Sequence, residues 1–405
     1  MLSQPFVLNQ ITGMMDRGHD VDIYASYRRE AEKCHQQIES YGLLERTRFF
    51  SDMPKKYPLR LAKAIVLVLR RGVWRQPGLI LRSLIPSKHR RSGINLRLLY
   101  RALALADRHG YDIIHCQFGT LVPLVLELKQ VGATHGKLVT SFRGFDITKV
   151  LVEKPTFYDE LFQHGAMFLP VSRSLRERLE KAGCPPSRIK VLHSGIDCRL
   201  FRFSERYKGK EDGIRLLSIG RFVEKKGLEY AIEAVANLTK TGREVNYTII
   251  GDGERRAKLE KMVRDLKISS SVTFLGWCEH GEIIRLLEDS HLLIAPSVTA
   301  EDGDQEGIPN VLKEAMATGL PVLSTFHSGI PELVENGVTG YLVPERDTQA
   351  LTERLIYLYD HPEHWAEMGK KARDKIDAEF DMAKINDSLE QVYQRVAGAE
   401  PGCIR

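Results

Sequence analysis

The feature that most constrains this chain is an alternation repeated along most of its length. Short β-rich apolar runs are each followed by an amphipathic stretch with helical spacing. A first set of runs covers Val21 to Ala25, Asp112 to Phe118, Lys137 to Phe142, Ala166 to Ser172 and Ile189 to His193. Helices are expected among them at Leu96 to Arg108 and Ser174 to Ala182. After a polar segment around Glu205 to Asp212, a second set begins. It comprises Arg215 to Gly220, Tyr247 to Gly251, Ser271 to Gly276, His291 to Pro296, Pro321 to Thr325 and Gly340 to Val343. Helices are expected at Leu228 to Thr239, Glu254 to Leu266, Gly281 to Asp289 and Pro309 to Thr318. Strands that do not alternate polar and apolar residues are buried on both faces, so the pattern predicts parallel, doubly wound sheets. The expected fold class is α/β, with two Rossmann-like domains at 1–200 and 201–380 around a central cleft. Ligands in such sheets bind beyond the carboxyl ends of the strands. A chain of 405 residues is long enough to give each domain its own core.

The beginning departs from this pattern. A doubly wound domain normally opens with an apolar strand, yet Met1 leads through Ser3, Gln4 and Pro5 into helix-like Phe6 to Arg17. The reading is that the first strand is missing. No run approaches the roughly 20 apolar residues of a spanning helix. Gln4, Asn9, Gln10 and Asp16 interrupt any secretory signal. The six cysteines never form Cys-x-x-Cys, which suits a reducing cytoplasm better than a disulfide framework or a thiolate zinc site.

Charge is unevenly spread. From Lys55 to His109 there are 14 Lys or Arg against one acid, Asp107, so this segment carries +13 of a net +6 and leaves −7 elsewhere. Its cations are interleaved with residues such as Ile65, Val66, Leu69, Trp74, Leu81 and Ile85. Such a stretch suits an anionic membrane surface. A solvated helical face around a local core is the plainer alternative, and nucleic acid is a rival partner. No recognition-helix, zinc-finger or RNA-binding aromatic signature accompanies the charges, so the expected partner is a membrane and not nucleic acid.

Candidate chemistry concentrates in the second half. In Ser218-Ile219-Gly220-Arg221-Phe222-Val223-Glu224-Lys225-Lys226-Gly227, Gly220 allows close backbone approach, and Arg221 and Lys226 can converge on a diphosphate. Alone, such residues are as easily solvated loop cations. Gly251-Asp252-Gly253-Glu254 follows the next strand, and by itself is a tight turn. The richest segment runs from Glu301 to Gly319. Pro309 fits the first helical turn and Gly319 the position past the helix end. The amides of Asn310 and Val311 would then be among the open donors at a helix start suited to a phosphate. Glu306 before the helix and Glu314 in its second turn can accept hydrogen bonds from sugar and ribose hydroxyls. The plainer roles are a dipole partner for Glu306 and an exposed helical acid for Glu314. Asp302-Gly303-Asp304 has metal-chelating spacing, but the nearby cations already supply counter-charge, so no metal or other cofactor is expected.

Taken in order, Gly220-Arg221 through Lys226-Gly227, Gly251-Asp252-Gly253 and the Glu-x7-Glu pair Glu306 and Glu314 resemble glycosyltransferase family 4. The segments Pro296 to Ala300, Glu306 to Pro309 and His327-Ser328-Gly329-Ile330-Pro331-Glu332-Leu333-Val334 are similar to its exopolysaccharide branch, of the colanic acid or amylovoran type. The resemblance implies a GT-B fold with a last helix, around Ala383 to Val396 in a tail of 381–405, that crosses back to the first domain. It implies that Arg221 and Lys226 hold the diphosphate of a nucleotide sugar. Glu306 would contact the donor sugar, Glu314 the ribose, and the backbone of Gly307, Ile308, Pro309, Asn310 and Val311, with Gly220 and Gly253, the rest of the donor. Relatives often carry Phe-His-Gly-x-Asp where this chain has Phe142-Arg143-Gly144-Phe145-Asp146. Arg143 cannot serve as a base, but it can stabilise a leaving group. Gln117 also stands where relatives often have histidine, and His115 reads as scaffold.

The implied activity is retaining transfer of a hexose, from a UDP-linked donor, to a lipid-linked oligosaccharide in exopolysaccharide biosynthesis. The expected location is the cytoplasmic face of the plasma membrane. A non-catalytic sugar-nucleotide-binding protein of the same fold is the alternative. An epimerase or phosphorylase ranks lower, because a glycogen-type phosphorylase needs a pyridoxal lysine and a much longer chain.

Overall fold

The computed structural model describes residues 5–26, 36–50, 53–85, 96–105, 110–207 and 213–398. The strands are β1 (Ile23–Ala25), β2 (Thr47–Phe49), β3 (Ile113–Cys116), β4 (Lys137–Phe142), β5 (Met167–Pro170) and β6 (Ile214–Ile219). They continue with β7 (Val245–Ile250), β8 (Val272–Leu275), β9 (Leu292–Ala295), β10 (Val322–Thr325) and β11 (Tyr341–Val343). The principal helices are α1 (Pro5–Met15), α2 (Tyr57–Arg70), α3 (Pro77–Leu84), α4 (Arg97–Leu105), α5 (Arg173–Lys181), α6 (Leu228–Lys240), α7 (Asn310–Ala317) and α8 (Met382–Ala397).

By internal contacts the chain forms two compact units. Unit 1 is Met1–Ser141, Tyr158–Leu169 and Asn386–Arg405, and unit 2 is Phe142–Phe157 and Pro170–Ile385. The grouping cuts across a boundary at 200, because Phe142–Phe157 and the chain after Pro170 join unit 2.

Unit 2 is built on a six-stranded sheet of order β11-β10-β9-β6-β7-β8. Its neighbouring strands are all parallel. Successive residues of each strand serve opposite faces, as the pleat requires. Leu216, Ile249 and Ile294 pack with α6 on one face, while Leu217, Ile250 and Leu293 pack with α7 on the other. Both faces are therefore covered, which explains the wholly apolar central strand β9 and the apolar pairs Leu216-Leu217 in β6 and Ile249-Ile250 in β7, while the polar residues Arg215 and Asn246 are exposed near the strand starts. Ile189 to His193, expected as a strand, is not one. It contains an isolated bridge residue, Ile189, and its Leu192 N–H donates to the Pro170 carbonyl at 2.9 Å, after which the His193 imidazole, not a backbone amide, meets the Val171 carbonyl.

Unit 1 holds the three-stranded sheet β3-β4-β5 and a separate parallel pair, β1 with β2. The short β2 was not anticipated. Helices α2, α3 and α4 share a core in which Ala64, Val73 and Leu79 meet Leu98, Leu99 and Leu103. From Asn386 onward, α8 packs on α1. Asn386 Nδ2 donates to the Asn9 carbonyl at 3.2 Å, Arg17 pairs with Asp387, and His19 lies 3.3 Å from Glu390. The last helix thus returns to the first part of the chain, as expected.

Candidate active site

The order of the six-stranded sheet reverses between β6 and β9. From β6 the chain adds β7 and β8 on one side, and then starts again on the other with β9. Such a switch point, at the carboxyl ends of two strands whose connections leave in opposite directions, is where open α/β sheets bind ligands. A cavity opens there, lined by Ser218, Ile219, Lys226, Ala295, Pro309 and Val311.

Two connections deliver the charged groups. After β6, Gly220 still donates to the Ile250 carbonyl at 3.0 Å, and the chain then turns through Glu224–Lys226 into α6. The turn closes at Gly227, with φ +61°, where a Cβ would lie 2.0 Å from the Pro296 carbonyl oxygen. Only glycine fits both conditions. Lys226 thereby reaches Glu306, with Nζ 3.2 Å from Oε1. Its neighbour Lys225 is buried, 3.0 Å from Asp304 and 3.5 Å from Glu306. Arg221, expected to share the work of Lys226, is exposed and makes no ion pair among the described residues. Gly253 lies in the exposed turn after β7, which packs on Phe222 through the Phe222 N–H to the Asp252 carbonyl at 2.9 Å.

The second connection, after β9, carries Glu306 through Val311. Glu306 is fixed at its own backbone: its N–H donates to His327 Nε2 at 3.1 Å, and His327 Nδ1 is 2.6 Å from Glu345. Facing a donor on one nitrogen and a carboxylate on the other, the buried ring takes the Nδ1–H tautomer. Burial pushes the Glu306 carboxyl up, but the ammonium groups of Lys226 and Lys225 outweigh it and hold the group at about 2. Glu306 is therefore a carboxylate at any physiological pH.

Pro309 has ψ 129°, so it caps α7 from outside instead of filling its first turn, and the helix starts one residue later than expected. Asn310 and Val311 then open α7, where the first N–H groups have no acceptor within the helix. Ile308 is buried beneath them. Glu314 is partly buried one turn further on, and burial raises its carboxyl to about 7 against the pull of Lys313 and Lys226. Gly319 follows the helix with φ +77°.

Arg143 comes to the same loop from β4. Asp146, wholly buried, accepts the N–H groups of Arg143 and Gly144 at 2.9 and 3.0 Å and so shapes the turn. The Arg143 carbonyl approaches Gly307 closely enough that a Cβ there would sit 2.9 Å from the oxygen. Arg143 also lies near enough to Lys313 to help lower its pKa. Three residues of the site escaped the sequence reading in any functional sense: Lys225, Lys313 and His327. Lys313 is wholly buried and donates to the Ser194 carbonyl at 2.6 Å; burial pushes it down to about 7, Glu314 opposing and Arg143 adding to the shift. Its helical spacing, one residue after Leu312 and three before Met316, is the signal that could have placed it inside.

The acidic run is engaged by lysines. Asp302 pairs with Lys149 at 2.7 Å and Asp304 with Lys225. Among the described residues, the group close enough to share a metal ion is His361, Glu363 and His364, on an exposed turn of its own. In unit 1, His115 bonds Tyr393 and Ser141 through its two ring nitrogens, at 2.6 and 2.8 Å, which is a scaffold role.

Comparison with known proteins gives this geometry its setting. Residues 4–200 match the family described as Glycosyltransferase Family 4, and residues 201–375 match Glycosyl transferases group 1. The chain is 35% identical over 403 residues to WcaL of Salmonella typhimurium, a glycosyltransferase assigned to colanic acid biosynthesis, covering 97% of each protein. It is 35% identical to the amylovoran biosynthesis glycosyltransferase AmsK of Erwinia amylovora, covering 98% of this chain and 97% of that one. Among solved structures, HepE of Anabaena in complex with UDP and glucose superposes with a TM-score of 0.67 at 16% identity, covering 96% and 95% of the two chains. The fold is accordingly that of the GT-B glycosyltransferases. With near-complete coverage at 35% identity added to the two family matches, the chain belongs to glycosyltransferase family 4, alongside the colanic acid and amylovoran glycosyltransferases, and is a glycosyltransferase.

Proposed function

We propose that this glycosyltransferase moves a hexose from a UDP-linked donor to a lipid-linked oligosaccharide in exopolysaccharide biosynthesis, with retention of anomeric configuration. It would work peripherally at the cytoplasmic face of the plasma membrane. The observation that carries the reading is the Lys226–Glu306 pair, at 3.2 Å, beside the first turn of α7 at the sheet's switch point. In this reading the diphosphate lies against Lys226 and the amides of Asn310 and Val311, with Arg221 folding onto its outer oxygens. Glu306, already ionised, accepts hydrogen bonds from the hexose, and Glu314 from the ribose. Gly307 lets the backbone close on the sugar, and Gly220 and Gly253 do so at the nucleotide end.

The acceptor hydroxyl attacks C1 on the face that the diphosphate leaves. As the C1–oxygen bond to phosphate breaks, the acceptor oxygen bonds C1 and passes its proton to the departing phosphate. Lys226, the helix start and Arg143 stabilise the charge that develops there, so catalysis rests on positioning and electrostatics and requires no metal. The pairing of Asp302 and Asp304 with lysines supports that last point. The names of WcaL and AmsK support the exopolysaccharide role, and the UDP and glucose of the HepE complex support the donor class.

The test is a thermal-shift screen of UDP- and GDP-sugars, followed by linkage analysis of the product on a lipid-linked acceptor. A UDP-hexose is expected to stabilise the protein and yield a product with the donor's anomeric configuration. A response confined to GDP-sugars would overturn the donor assignment, and an inverted product would overturn the mechanism.

A further inference from the structure

We infer that the outward face of α2, the turn at Trp74 and the end of α3 form a surface that inserts apolar side chains into the headgroup region of an anionic bilayer. The inference deepens the membrane placement proposed above and is independent of the donor chemistry. On α2, residues at helical spacing point away from the core it shares with α4. Leu61, Ile65, Val66 and Leu69 are 45%, 54%, 46% and 61% exposed. Two arginines at the ends of this helix turn back to the backbone. Arg60 Nε donates to the Pro54 carbonyl at 3.0 Å, and just beyond the helix Arg71 donates to the Leu103 carbonyl. Apolar side chains thus line the outward face of α2 as well as its core face, where Ala64, Leu67 and Val68 pack, and a helix that faced only water would carry one apolar stripe and a polar opposite side. Trp74 is 55% exposed, with the Arg75 guanidinium 5.1 Å from its ring centroid. Leu81, Leu84 and Ile85 continue the exposed series on and just after α3. Single exposed leucines are ordinary; a run of them through consecutive elements marks an interaction surface.

Charge selects the occupant. Lys55, Lys56, Arg70, Arg75 and Arg82 are exposed beside these side chains, and there is no acid from Lys55 to Leu105. A second copy of the chain would set like charge against like. A neutral apolar partner would leave the cations without counter-charge. An anionic bilayer receives both: hydrocarbon sinks about 5–10 Å into the boundary between headgroups and acyl chains, and the cations stay with the phosphates. Docking by inserted hydrocarbon differs from docking by charge alone in one measurable way, since it outlasts salt.

The experiment is cosedimentation of the full chain with vesicles of phosphatidylglycerol and phosphatidylcholine in equal parts, at low salt and at about 0.5 M NaCl, where screening shortens to about 4 Å. The wild type is expected to bind at low salt and to keep part of its binding at high salt. The double variant Ile65→Ser with Leu69→Ser is expected to lose about tenfold or more in partitioning at both salts. Its melting temperature and donor hydrolysis should be unchanged. Arg70→Gln with Arg75→Gln is expected to weaken binding at low salt only. Absence of wild-type binding would overturn the inference, as would full binding by the serine variant. A wild-type dimer that the serines dissociate, without vesicle binding, would overturn it in favour of a second copy. Vesicle binding that persists in a protein with no transferase activity would sink the proposed function and leave this surface standing.

Discussion

In unit 2, Lys225 and Lys226 are drawn onto Asp304 and Glu306, whereas in unit 1 Arg70 and Arg75 stand exposed beside leucines and Arg60 and Arg71 turn back to backbone carbonyls. The residue types are the same; the available counter-charge is not. The loop Glu301 to Glu306 carries four acids, while Lys55 to Leu105 carries none. Where carboxylates lie within reach of a turn, cations fold inward and are held in advance of a ligand, which suits a small dianion that must be positioned accurately. Where none exist, the cations left over after carbonyl bonding face outward, which suits an extended anionic surface that tolerates loose registration.

The largest test of that comparison lies in unit 2. Lys226→Ala removes a cation held both by Glu306 and by the cavity beside α7, and is expected to lower kcat/KM about a thousandfold with the fold intact. Arg221→Ala, from the exposed end of the same connection, should cost about tenfold, because a flexible exposed side chain gives up less on removal. Steady-state kinetics with one donor decides it. Equal losses would mean that Arg221 folds in completely on binding and that the unliganded arrangement says little about the bound one.

These two cations also show what could be read from the sequence. The strand-and-helix alternation and the order of the motifs identified the fold and the three loops, because both depend on local patterning. Spacing places Arg221 and Lys226 on one connection, but nothing local tells which of Arg221 and Lys225 turns inward. That choice depends on where Asp304 and Glu306 arrive from another strand. His327 was equally hidden, because its role in fixing the Glu306 amide requires β10 to lie beside β9. In unit 1 the composition announced a basic, apolar segment correctly, but only the packing of α2 on α4 shows that Arg71 faces in and Ile65 faces out.

That last distinction gives a test in stability. Arg71→Glu replaces a donor to the Leu103 carbonyl with a group that repels it, and is expected to destabilise the chain by about 2–3 kcal/mol. Arg70→Glu, one residue earlier and exposed, should change stability by less than about 0.5 kcal/mol. Urea unfolding of the two variants measures both. Similar losses would show that the arginines at the end of α2 are not divided between inside and outside as the hydrogen bonds indicate.

The smallest effect separates the regions by pH. Glu314 has its carboxyl raised from 4.5 to about 7 by burial, so it is largely protonated below that pH and becomes a better acceptor for ribose hydroxyls above it. Donor affinity is therefore expected to rise about tenfold between about pH 6 and pH 8, a change of about 1.4 kcal/mol. Stability of the unliganded chain responds with the opposite sign. A carboxyl raised on folding contributes fully below its unfolded value of 4.5, and that contribution is lost as pH rises through about 7. Lys313, lowered from 10.5 to about 7, acts in the other direction, its contribution being lost as pH falls through about 7. Stability alone will therefore understate both groups, and binding of UDP is the measurement to make. Glu314→Gln should flatten the affinity profile while leaving binding measurable. Glu306, held at about 2, should contribute no slope in this range. Vesicle binding by unit 1 rests on guanidinium groups and hydrocarbon, and should stay level across the same pH values. If vesicle binding followed the same pH curve as UDP binding, the two regions would share a titrating group, and the division between an inward anion site and an outward anionic surface would fail.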